Sequence, residues 1–303
     1  MKLIFAGTPE IAATVLQGLL QSEHEVVAVL TQPDRPSGRG QKLTPSPVKA
    51  LALEHHLPVL QPLKLSQDLL KNFEADLMIV VAYGLIIPEA VLTIPRQGCW
   101  NVHVSLLPRW RGAAPIQRAI EAGDRETGVT LMQMDKGLDT GPILLQEKVM
   151  ITEEMTGGML HDLLAEKGRD LLLQGLQNIH HLKPEPQAST GVSYAKKLCK
   201  EEAHIDWSKE GIACKIRAFN PWPICYTTYN DEVIRIWKAR VIRERREGLL
   251  GQILYIHKEA LGVHIQEGVL EVLELQRAGG KPLAISVFLN GHPDFFAPGA
   301  LLK

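Results

Sequence analysis

The chain has 303 residues, of which 45% are hydrophobic and 22% charged, and its formal net charge is −1. This length accommodates one large or two ordinary domains with packed cores, and we expect two. The balanced charge excludes a surface coated with basic residues, so any contact with nucleic acid must come from local clusters.

In the first half of the chain, apolar runs of strand length alternate with helical patterns, which is typical of a parallel sheet with crossover helices on both faces. The predicted strands are 2–7, 25–31, 77–83, 99–105 and 128–134. The predicted helices are 10–20, 47–56 and 116–122, with Thr8 as N-cap of the first and Pro9 at its first helical position. The pattern predicts a doubly wound, mostly parallel α/β sheet.

A long leucine-rich helix is predicted over 159–182, and prolines and small residues interrupt the helical periodicity from 183 to 192. After a short helix near 209–219 the chain is mostly β-like. The predicted strands there are 225–229, 233–241, 251–256, 262–265 and 269–276, with a hairpin turn at Asn230-Asp231. Several short strands at regular spacing suggest a small barrel. We therefore expect an α/β domain over 1–188, a linker over 189–205 and a β domain over 206–303.

The cysteines and the apolar segments are typical of a protein from a reducing compartment. Cys99, Cys199, Cys214 and Cys225 form no C-x-x-C pair, and the apolar run that starts at Met1 is too short for a secretory signal. No later segment approaches the roughly 20 apolar residues of a membrane span. We expect a soluble cytoplasmic protein without a membrane partner.

Asn101 and His103 are the most informative pair of residues in the chain. Their i, i+2 spacing on a predicted strand places both side chains on one face of that strand. The amide of Asn101 and a protonated His103 can both donate hydrogen bonds to an oxygen that gains negative charge during acyl transfer. Asp139, on a glycine-rich turn, is a carboxylate that can keep the imidazole charged. Each residue alone fits an ordinary strand end or turn, and only the combination favours a catalytic site.

The sequence around these residues is also informative as a whole. The segment from Asn101 to Gln117 reads NVHVSLLPRWRGAAPIQ, and Asp139 lies in the sequence LDTG. This block resembles the 10-formyltetrahydrofolate-dependent formyltransferases, whose signature is an Asn-x-His pair before Ser-Leu-Leu-Pro and a distant Asp in a Leu-Asp-Thr-Gly turn. Within that family, the stretch 105–117, the TQPDRP loop from Thr31 and the late Asn220-Pro-Trp-Pro resemble the members that act on methionyl-tRNA. The resemblance covers nearly the whole chain.

The resemblance implies roles for the two domains and for the folate pocket. It implies that 1–188 is a formyltransferase catalytic domain and that 206–303 is an OB-like tRNA-binding barrel. It also implies a pocket for 10-formyltetrahydrofolate at the carboxyl ends of two strands, where ligands of open α/β sheets bind. The implied folate-binding residues are Leu85, Ile86, Ile87, Ser105, Leu106, Leu107 and Pro108. From the residues alone, 85–87 would be read as apolar core.

A long polar stretch after the second predicted strand contains Arg35, Arg39, Lys42 and Lys49 against one acid, Asp34. Loops of this length without regular structure are usually functional or disordered. Composition alone leaves a solvated loop and a phosphate-binding loop equally open. The resemblance implies that this loop enters the acceptor stem of a tRNA, with Arg39 between two glycines as the main contact and Arg35 and Lys42 beside it.

Other ligand motifs are absent from the sequence. The Gly7-Thr-Pro-Glu turn after the first strand is not G-x-G-x-x-G and lacks a P-loop lysine, so we expect neither NAD nor ATP. Of the eleven histidines, only His103 lies in a catalytic cluster. The helical histidines lack Cys or carboxylate neighbours at ligand spacing, so we predict no metal site.

The resulting hypothesis is transfer of a formyl group from 10-formyltetrahydrofolate to the α-amine of methionine on initiator methionyl-tRNA, by a monomer. A formyltransferase for a small amine, such as an aminosugar nucleotide or glycinamide ribonucleotide, would use the same three residues, but the basic loop and the β domain favour tRNA. A non-catalytic RNA-binding module is the third alternative. One departure concerns Val104, where the family usually has Gly or Ala. Either the core behind the strand absorbs the extra bulk, or the formyl site is narrower.

Overall fold

The fold was obtained as a computed structural model that describes residues 1–37 and 42–303. The chain divides into two compact units. The first comprises Met1–Pro115, Glu126–Met150 and His161–Lys196, and the second comprises Ile116–Arg125, Ile151–Leu160 and Lys197–Lys303. The domain boundaries at 188 and 206 stay a prediction.

The first unit is built on one seven-stranded mixed sheet, and it also has two small two-stranded sheets, β3-β4 and β8-β11. The strands of the unit are β1 (Lys2–Gly7), β2 (Glu25–Leu30), β3 (Arg35–Ser37), β4 (Lys42–Thr44), β5 (Val59–Leu60), β6 (Leu77–Val81), β7 (Cys99–His103), β8 (Arg111–Gly112), β9 (Glu126–Gln133), β10 (Ile143–Met150) and β11 (Tyr194–Ala195). The main sheet has the order β10-β9-β7-β6-β1-β2-β5. β5, β2, β1, β6 and β7 pair in parallel, whereas β9 is antiparallel to both of its neighbours.

Burial explains why the central strands are apolar throughout. In β6 and β7 every residue is buried, because helices cover both faces of a parallel sheet. From Leu145 to Met150, partly or fully buried positions of the edge strand β10 alternate with exposed ones, as expected for a strand with one solvated face. This strand was not among the sequence predictions, since its polar residues break the apolar run.

The helices are α1 (Glu10–Leu20), α2 (Pro47–Glu54), α3 (Gln67–Leu70), α4 (Glu89–Leu92), α5 (Pro115–Glu121), α6 (Gly157–Gln177), α7 (Ile212–Ala218) and α8 (Ile285–Gly291). The prediction that Thr8 caps α1 is wrong, because Pro9 occupies the N-cap position. The Thr8 hydroxyl instead donates to the Tyr83 carbonyl at 3.0 Å and accepts the Gln32 N–H at 3.3 Å. Thr8 therefore joins three loops at the carboxyl edge of the sheet.

The polar stretch after β2 was expected to lack regular structure, and this expectation is wrong for its described part. β3 and β4 pair as an antiparallel hairpin, with Arg35 opposite Thr44. Lys49 lies in α2 and binds the Asp34 carboxylate at 2.6 Å, so it belongs to an ion pair within the fold. Hydrogen bonds from Lys49 and Gln61 lower the pKa of Asp34. Residues 38–41, which include Arg39, lie outside the described residues.

The second unit carries a separate antiparallel sheet. Its strands are β12 (Tyr226–Tyr229), β13 (Glu232–Ile242), β14 (Ile253–His257), β15 (Ala260–Ile265), β16 (Gly268–Arg277) and β17 (Leu283–Ala284). The order is β12-β13-β16-β15-β14, and β17 pairs with β16. The predicted hairpin turn is confirmed: Asn230 and Asp231 have φ of 48° and 62°, the left-handed values of a type I′ turn.

No strand pairing between β12 and β14 closes this sheet in the described part of the second unit. The last residues of the chain bond to both of its edge strands. Lys303 exchanges backbone hydrogen bonds with Thr228 at 2.7 and 2.9 Å, and the Gly299 N–H donates to the Ile253 carbonyl at 2.7 Å. The expected fold class of a mostly parallel α/β sheet with a separate β domain is confirmed, and a closed OB-like barrel is not. Among the described helices, none is long and apolar enough to cross a membrane.

Candidate active site

β7 brings Asn101 and His103 to the carboxyl edge of the sheet. Asn101 lies opposite Val80 of the parallel strand β6, and His103 lies opposite Thr130 of β9. Between them, Val102 faces the other side of the sheet, where it packs against Gly168 of α6. Because side chains alternate along a strand, Asn101 and His103 share one face, as predicted. Both are buried, with exposed fractions of 9% and 6%.

The turn before β10 brings Asp139 to these two side chains. Asp139 Oδ1 lies 3.4 Å from Asn101 Nδ2, and its Oδ2 lies 3.6 Å from His103 Nδ1. The Gly112 N–H also donates to Oδ2, at 2.8 Å. Asp139 has a left-handed φ of 52°, a conformation that Asp tolerates better than most residues. The structure thus brings the three predicted catalytic residues together around one carboxylate.

His103 faces oxygen acceptors at both ring nitrogens. Nδ1 faces Asp139, and Nε2 lies 3.0 Å from the Trp110 carbonyl oxygen. A carbonyl oxygen only accepts hydrogen bonds, so Nε2 is the donor in the contact with Trp110. Nδ1 and Asp139 Oδ2 face each other at 3.6 Å, which is beyond hydrogen-bond distance. The Nε2 proton is thus already shared with the protein backbone.

Trp110 holds its carbonyl in place through an uncommon backbone conformation, with φ of 64°. Its N–H donates to the Ser193 hydroxyl at 2.9 Å, and the Arg109 guanidinium stacks over its indole ring, 4.4 Å from the ring centroid. Non-glycine residues in left-handed conformations persist where the surroundings hold them, and such positions are frequent in active sites. Trp110 was not among the predicted site residues, because its contribution comes from the main chain.

The first predicted folate segment follows β6 directly. The strand ends at Val81 because Ala82 and Gly84 adopt φ of 44° and 79°, so Tyr83 belongs to a loop at the carboxyl edge. In that loop Ile86 is 92% exposed, Leu85 is half-buried and Ile87 is 9% exposed. The reading of this segment as plain apolar core therefore holds for Ile87 and fails for Ile86. Their folate contacts stay a prediction.

Tyr83 is a buried residue in the same loop. Its hydroxyl has no hydrogen-bond partner among the described residues, and burial raises its pKa to about 12. The phenol therefore stays neutral at physiological pH and is a poor general base. Its backbone carbonyl, in contrast, accepts from Thr8 and from the Gln32 side chain, which fixes the start of the loop.

The second predicted folate segment, Ser105 to Pro108, is held by a polar network whose members were not among the predicted site residues. The Thr130 hydroxyl donates to the Ser105 carbonyl at 2.7 Å and accepts the Leu107 N–H at 3.2 Å. Gln146 Nε2 donates to the same hydroxyl at 2.9 Å and to the Leu107 carbonyl at 3.0 Å. Ser105 and Thr130 are fully buried, whereas Leu106 and Pro108 are half-buried. The network links this loop to β9 and β10.

Of the predicted tRNA contacts, the structure describes two. Arg35 and Lys42 are exposed on the β3–β4 hairpin, and Arg35 donates to Gln32. Arg39, the predicted main contact, lies outside the described residues. The residues that are described contain no group of three or more potential ligands that could hold a metal ion.

A cleft at the opposite end of the sheet is lined mainly by acidic residues, among them Glu23, Glu25, Glu74 and Asp76. Glu25 is the first residue of β2, and Asp76 precedes β6, so this cleft lies at the amino ends of the parallel strands. His103 ends β7 at the carboxyl edge. The acidic cleft is therefore separate from the candidate active site.

Comparison with known families agrees with this geometry. Residues 1–176 match the family described as formyl transferase, and residues 197–293 match the formyl transferase C-terminal domain. The methionyl-tRNA formyltransferase of Stutzerimonas stutzeri is 52% identical over 310 residues, which cover 100% of this chain and 98% of the relative. The enzyme of the same name from Hahella chejuensis is 50% identical over 311 residues, with the same coverage.

Solved structures show the same fold at low sequence identity. An N-formyltransferase from Helicobacter canadensis, in complex with folinic acid and dTDP-3-aminofucose, aligns with a TM-score of 0.66 and 20% identity over 90% of this chain and 98% of that one. A methionyl-tRNA formyltransferase from Clostridium thermocellum aligns with a TM-score of 0.56 and 17% identity over 81% and 95%.

The Thr130 network leads to a prediction about the loop at 105–108. Thr130→Val keeps the shape of the side chain but removes the hydroxyl. The Leu107 N–H then lacks its acceptor, and the Ser105 carbonyl lacks its donor. We expect the free energy of unfolding to fall by about 1–3 kcal/mol and hydrogen exchange at the Leu107 amide to accelerate. Thr130→Ser is the matched control, because it keeps the hydroxyl. Unchanged exchange at Leu107 in Thr130→Val would show that the hydroxyl does not organise this loop.

Proposed function

The chain belongs to the formyl transferase family, and on this premise we propose that it transfers a formyl group from 10-formyltetrahydrofolate to the α-amine of methionine on initiator methionyl-tRNA. The observation that carries the proposal is the identity of 50–52% with methionyl-tRNA formyltransferases over the whole chain. The convergence of Asn101, His103 and Asp139 supports acyl transfer chemistry. Together they support a translation-initiation enzyme rather than a non-catalytic RNA-binding module.

Asn101 and His103 stabilise the charge that develops during the reaction. The amine attacks the formyl carbon as an uncharged nucleophile, and the electron pair of the carbonyl bond moves to the formyl oxygen. The Asn101 amide and the His103 imidazole donate hydrogen bonds to that oxygen. One hydrogen of the Asn101 amide points to Asp139 at a long 3.4 Å, which leaves the second for the substrate. The formyl oxygen must also take over, or share, the Nε2 proton that the Trp110 carbonyl accepts.

Asp139 has two tasks in this scheme. Its negative charge favours the protonated form of His103, whose Nδ1 lies 3.6 Å from Oδ2. It also accepts, through a water molecule, the proton that the attacking amine must lose. Collapse of the intermediate breaks the bond to N10 of the folate, which takes up a proton by way of His103 or the same water. The products are tetrahydrofolate and formyl-methionyl-tRNA.

The two loops at the carboxyl edge are the proposed folate site. Leu85, Ile86 and Ile87 offer backbone groups to the pterin, and the segment Ser105 to Pro108 lies beside the formyl group. The position of both loops after adjacent parallel strands supports this assignment, because ligands of such sheets bind there. A relative of the same fold is known in complex with folinic acid. The chemistry requires no metal ion.

Arg35, Arg39 and Lys42 are the proposed tRNA contacts of the first unit. The exposure of Arg35 and Lys42 on one hairpin supports a role in phosphate binding, since phosphate contacts supply most of the affinity for nucleic acids. The β domain over 206–303 is the other proposed tRNA-binding element. For an asymmetric partner such as tRNA, a monomer is sufficient.

A small amine such as an aminosugar nucleotide is the alternative acceptor. The Helicobacter canadensis N-formyltransferase has a higher TM-score than the Clostridium thermocellum methionyl-tRNA formyltransferase, 0.66 against 0.56. Both are at most 20% identical to this chain, so these scores concern the fold alone. The full-length relatives at 50–52% identity therefore weigh more, and they favour methionyl-tRNA.

The first prediction from the proposed function concerns the reaction itself. The purified protein mixed with 10-formyltetrahydrofolate and initiator methionyl-tRNA is expected to produce formyl-methionyl-tRNA and tetrahydrofolate in equal amounts. A parallel reaction with an aminosugar nucleotide as acceptor is expected to release no tetrahydrofolate above background. Turnover with the sugar but not with the tRNA would establish the alternative acceptor.

The second prediction concerns the oxyanion donors. His103→Ala and Asn101→Ala are each expected to lower kcat by about 100-fold to 1000-fold or more, because each removes one donor to the formyl oxygen. Circular dichroism is expected to show an intact fold. His181→Ala, which changes an exposed histidine, is the control and is expected to keep wild-type kcat. Near-normal turnover of either catalytic variant would refute its assigned role.

The third prediction concerns tRNA binding. Arg39→Ala is expected to raise the KM for methionyl-tRNA, to leave kcat nearly unchanged and to reduce the slope of log affinity against log salt by about one, the effect of one lost phosphate contact. Arg35→Ala and Lys42→Ala should behave similarly but more weakly. Lys64→Ala, an exposed lysine outside the hairpin, serves as control. Equal activity of Arg39→Ala and wild type across a salt series would exclude the contact.

A further inference from the structure

We propose that Gln187 is a positioning residue that acts on the active site through Asp139. This inference rests on the proposed function. Gln187 lies between the two matched family regions, which end at residue 176 and begin at residue 197. Prolines and small residues interrupt the helical periodicity there, just before the predicted start of the linker at residue 189. From residue 183 to residue 191, Gln187 is the one residue that is not exposed.

All hydrogen-bonding capacity of the Gln187 amide is used. Its Nε2 donates to the backbone carbonyls of Asp139 and Gly141, at 2.8 Å each. Its Oε1 accepts from the Arg111 guanidinium, at 3.1 Å from Nε and 2.7 Å from Nη2. An amide offers two N–H groups and two acceptor positions, so these four bonds saturate it. A saturated amide holds its neighbours in one geometry.

These four bonds fix the segments that carry the donor and the acceptor of the hydrogen bond from the Gly112 N–H to the Asp139 carboxylate. The Asp139 carboxylate accepts the Gly112 N–H at 2.8 Å. Gln187 binds the backbone of Asp139 on one side of that bond, and on the other side it binds Arg111, the residue before Gly112. The distance between the Asp139 carboxylate and His103 Nδ1 therefore depends on Gln187, although Gln187 makes no contact with the substrate in the scheme above.

The rest of the same segment continues this support. The Ile143 and Glu185 backbones exchange hydrogen bonds at 2.7 and 2.8 Å, which anchors the segment beside the Asp139 turn. The Ser193 hydroxyl accepts the Trp110 N–H, and β11 pairs in parallel with β8. Hydrogen bonds thus connect the segment that carries Gln187 to the loops of the candidate active site. The Gln187 side chain itself links Arg111 to the Asp139 turn.

The test is steady-state kinetics of Gln187→Met, which has nearly the same shape and none of the four bonds. We expect kcat for methionyl-tRNA formylation to fall about 10-fold to 100-fold, the range for loss of a supporting hydrogen-bond partner or for a displacement of a catalytic group by about 1 Å. The KM values for both substrates should stay within about three-fold of wild type, since ground-state contacts are unchanged. Partial unfolding would also lower the apparent kcat at constant KM, so kcat is calculated per folded protein, with the folded fraction measured by circular dichroism. A loss of kcat that disappears after this correction would overturn the inference.

Two further variants sharpen the test. Gln187→Glu keeps an acceptor for Arg111 but turns a carboxylate oxygen towards the carbonyls of Asp139 and Gly141, so its kcat should fall at least as far as that of Gln187→Met. Gln177→Met makes the same replacement at an exposed glutamine at the end of α6 and should keep wild-type kcat. Melting temperatures identify any variant that fails to fold, in which case the remaining Gln187 variant carries the test.

Wild-type kcat in a folded Gln187→Met or Gln187→Glu protein would overturn the inference. So would an equal loss in Gln177→Met, because the effect would then not be specific to the four bonds. A wild-type protein without formylation activity is a different result, which would overturn the proposed function itself.

Discussion

The Asp139 carboxylate is the group on which the candidate site depends. It faces the Asn101 amide at 3.4 Å and the His103 imidazole at 3.6 Å, and it accepts the Gly112 N–H at 2.8 Å. Both side chains face this carboxylate, which places the Asn101 amide and the His103 ring around one volume. Without that carboxylate, Asn101 and His103 would be two polar side chains at the end of a buried strand.

The fold creates this arrangement by joining distant segments at one edge of a sheet. Parallel strands present their carboxyl ends together, so the loops after β6 and β7 lie side by side. The antiparallel strands β9 and β10 extend the same edge, and the turn that precedes β10 carries Asp139. The polar network of Thr130 and Gln146 and the amide of Gln187 then hold the loops. Burial of apolar residues thus stabilises the sheet, and the hydrogen bonds of Thr130, Gln146 and Gln187 fix the positions of the loops at its carboxyl edge.

Most of the strands and the pairing of Asn101 with His103 could be predicted from the sequence, because hydrophobic periodicity indicates which residues are buried. The parallel strands β1, β2, β6 and β7, helix α1 and the Asn230-Asp231 hairpin were predicted within a few residues of their observed bounds. The two-residue parallel strand β5 was not predicted. The spacing of Asn101 and His103 placed both on one face. Contacts between segments far apart in the chain leave no such signal. Thr130, Gln146 and Gln187 are ordinary polar residues in the sequence, and their partners are defined only by the folded chain. Thr8 was misassigned for the same reason, since tertiary hydrogen bonds outcompeted a local cap.

The most direct test of the central claim is a crystal structure of the protein with a stable analogue of 10-formyltetrahydrofolate. The formyl oxygen is predicted to lie about 2.7–3.1 Å from both Asn101 Nδ2 and His103 Nε2, with the Trp110 carbonyl displaced from Nε2 or sharing its proton. Asp139 is predicted to keep its position beside His103 Nδ1. A formyl group bound away from Asn101 and His103, with the Trp110 carbonyl still the sole partner of Nε2, would contradict the proposed catalytic role of these residues.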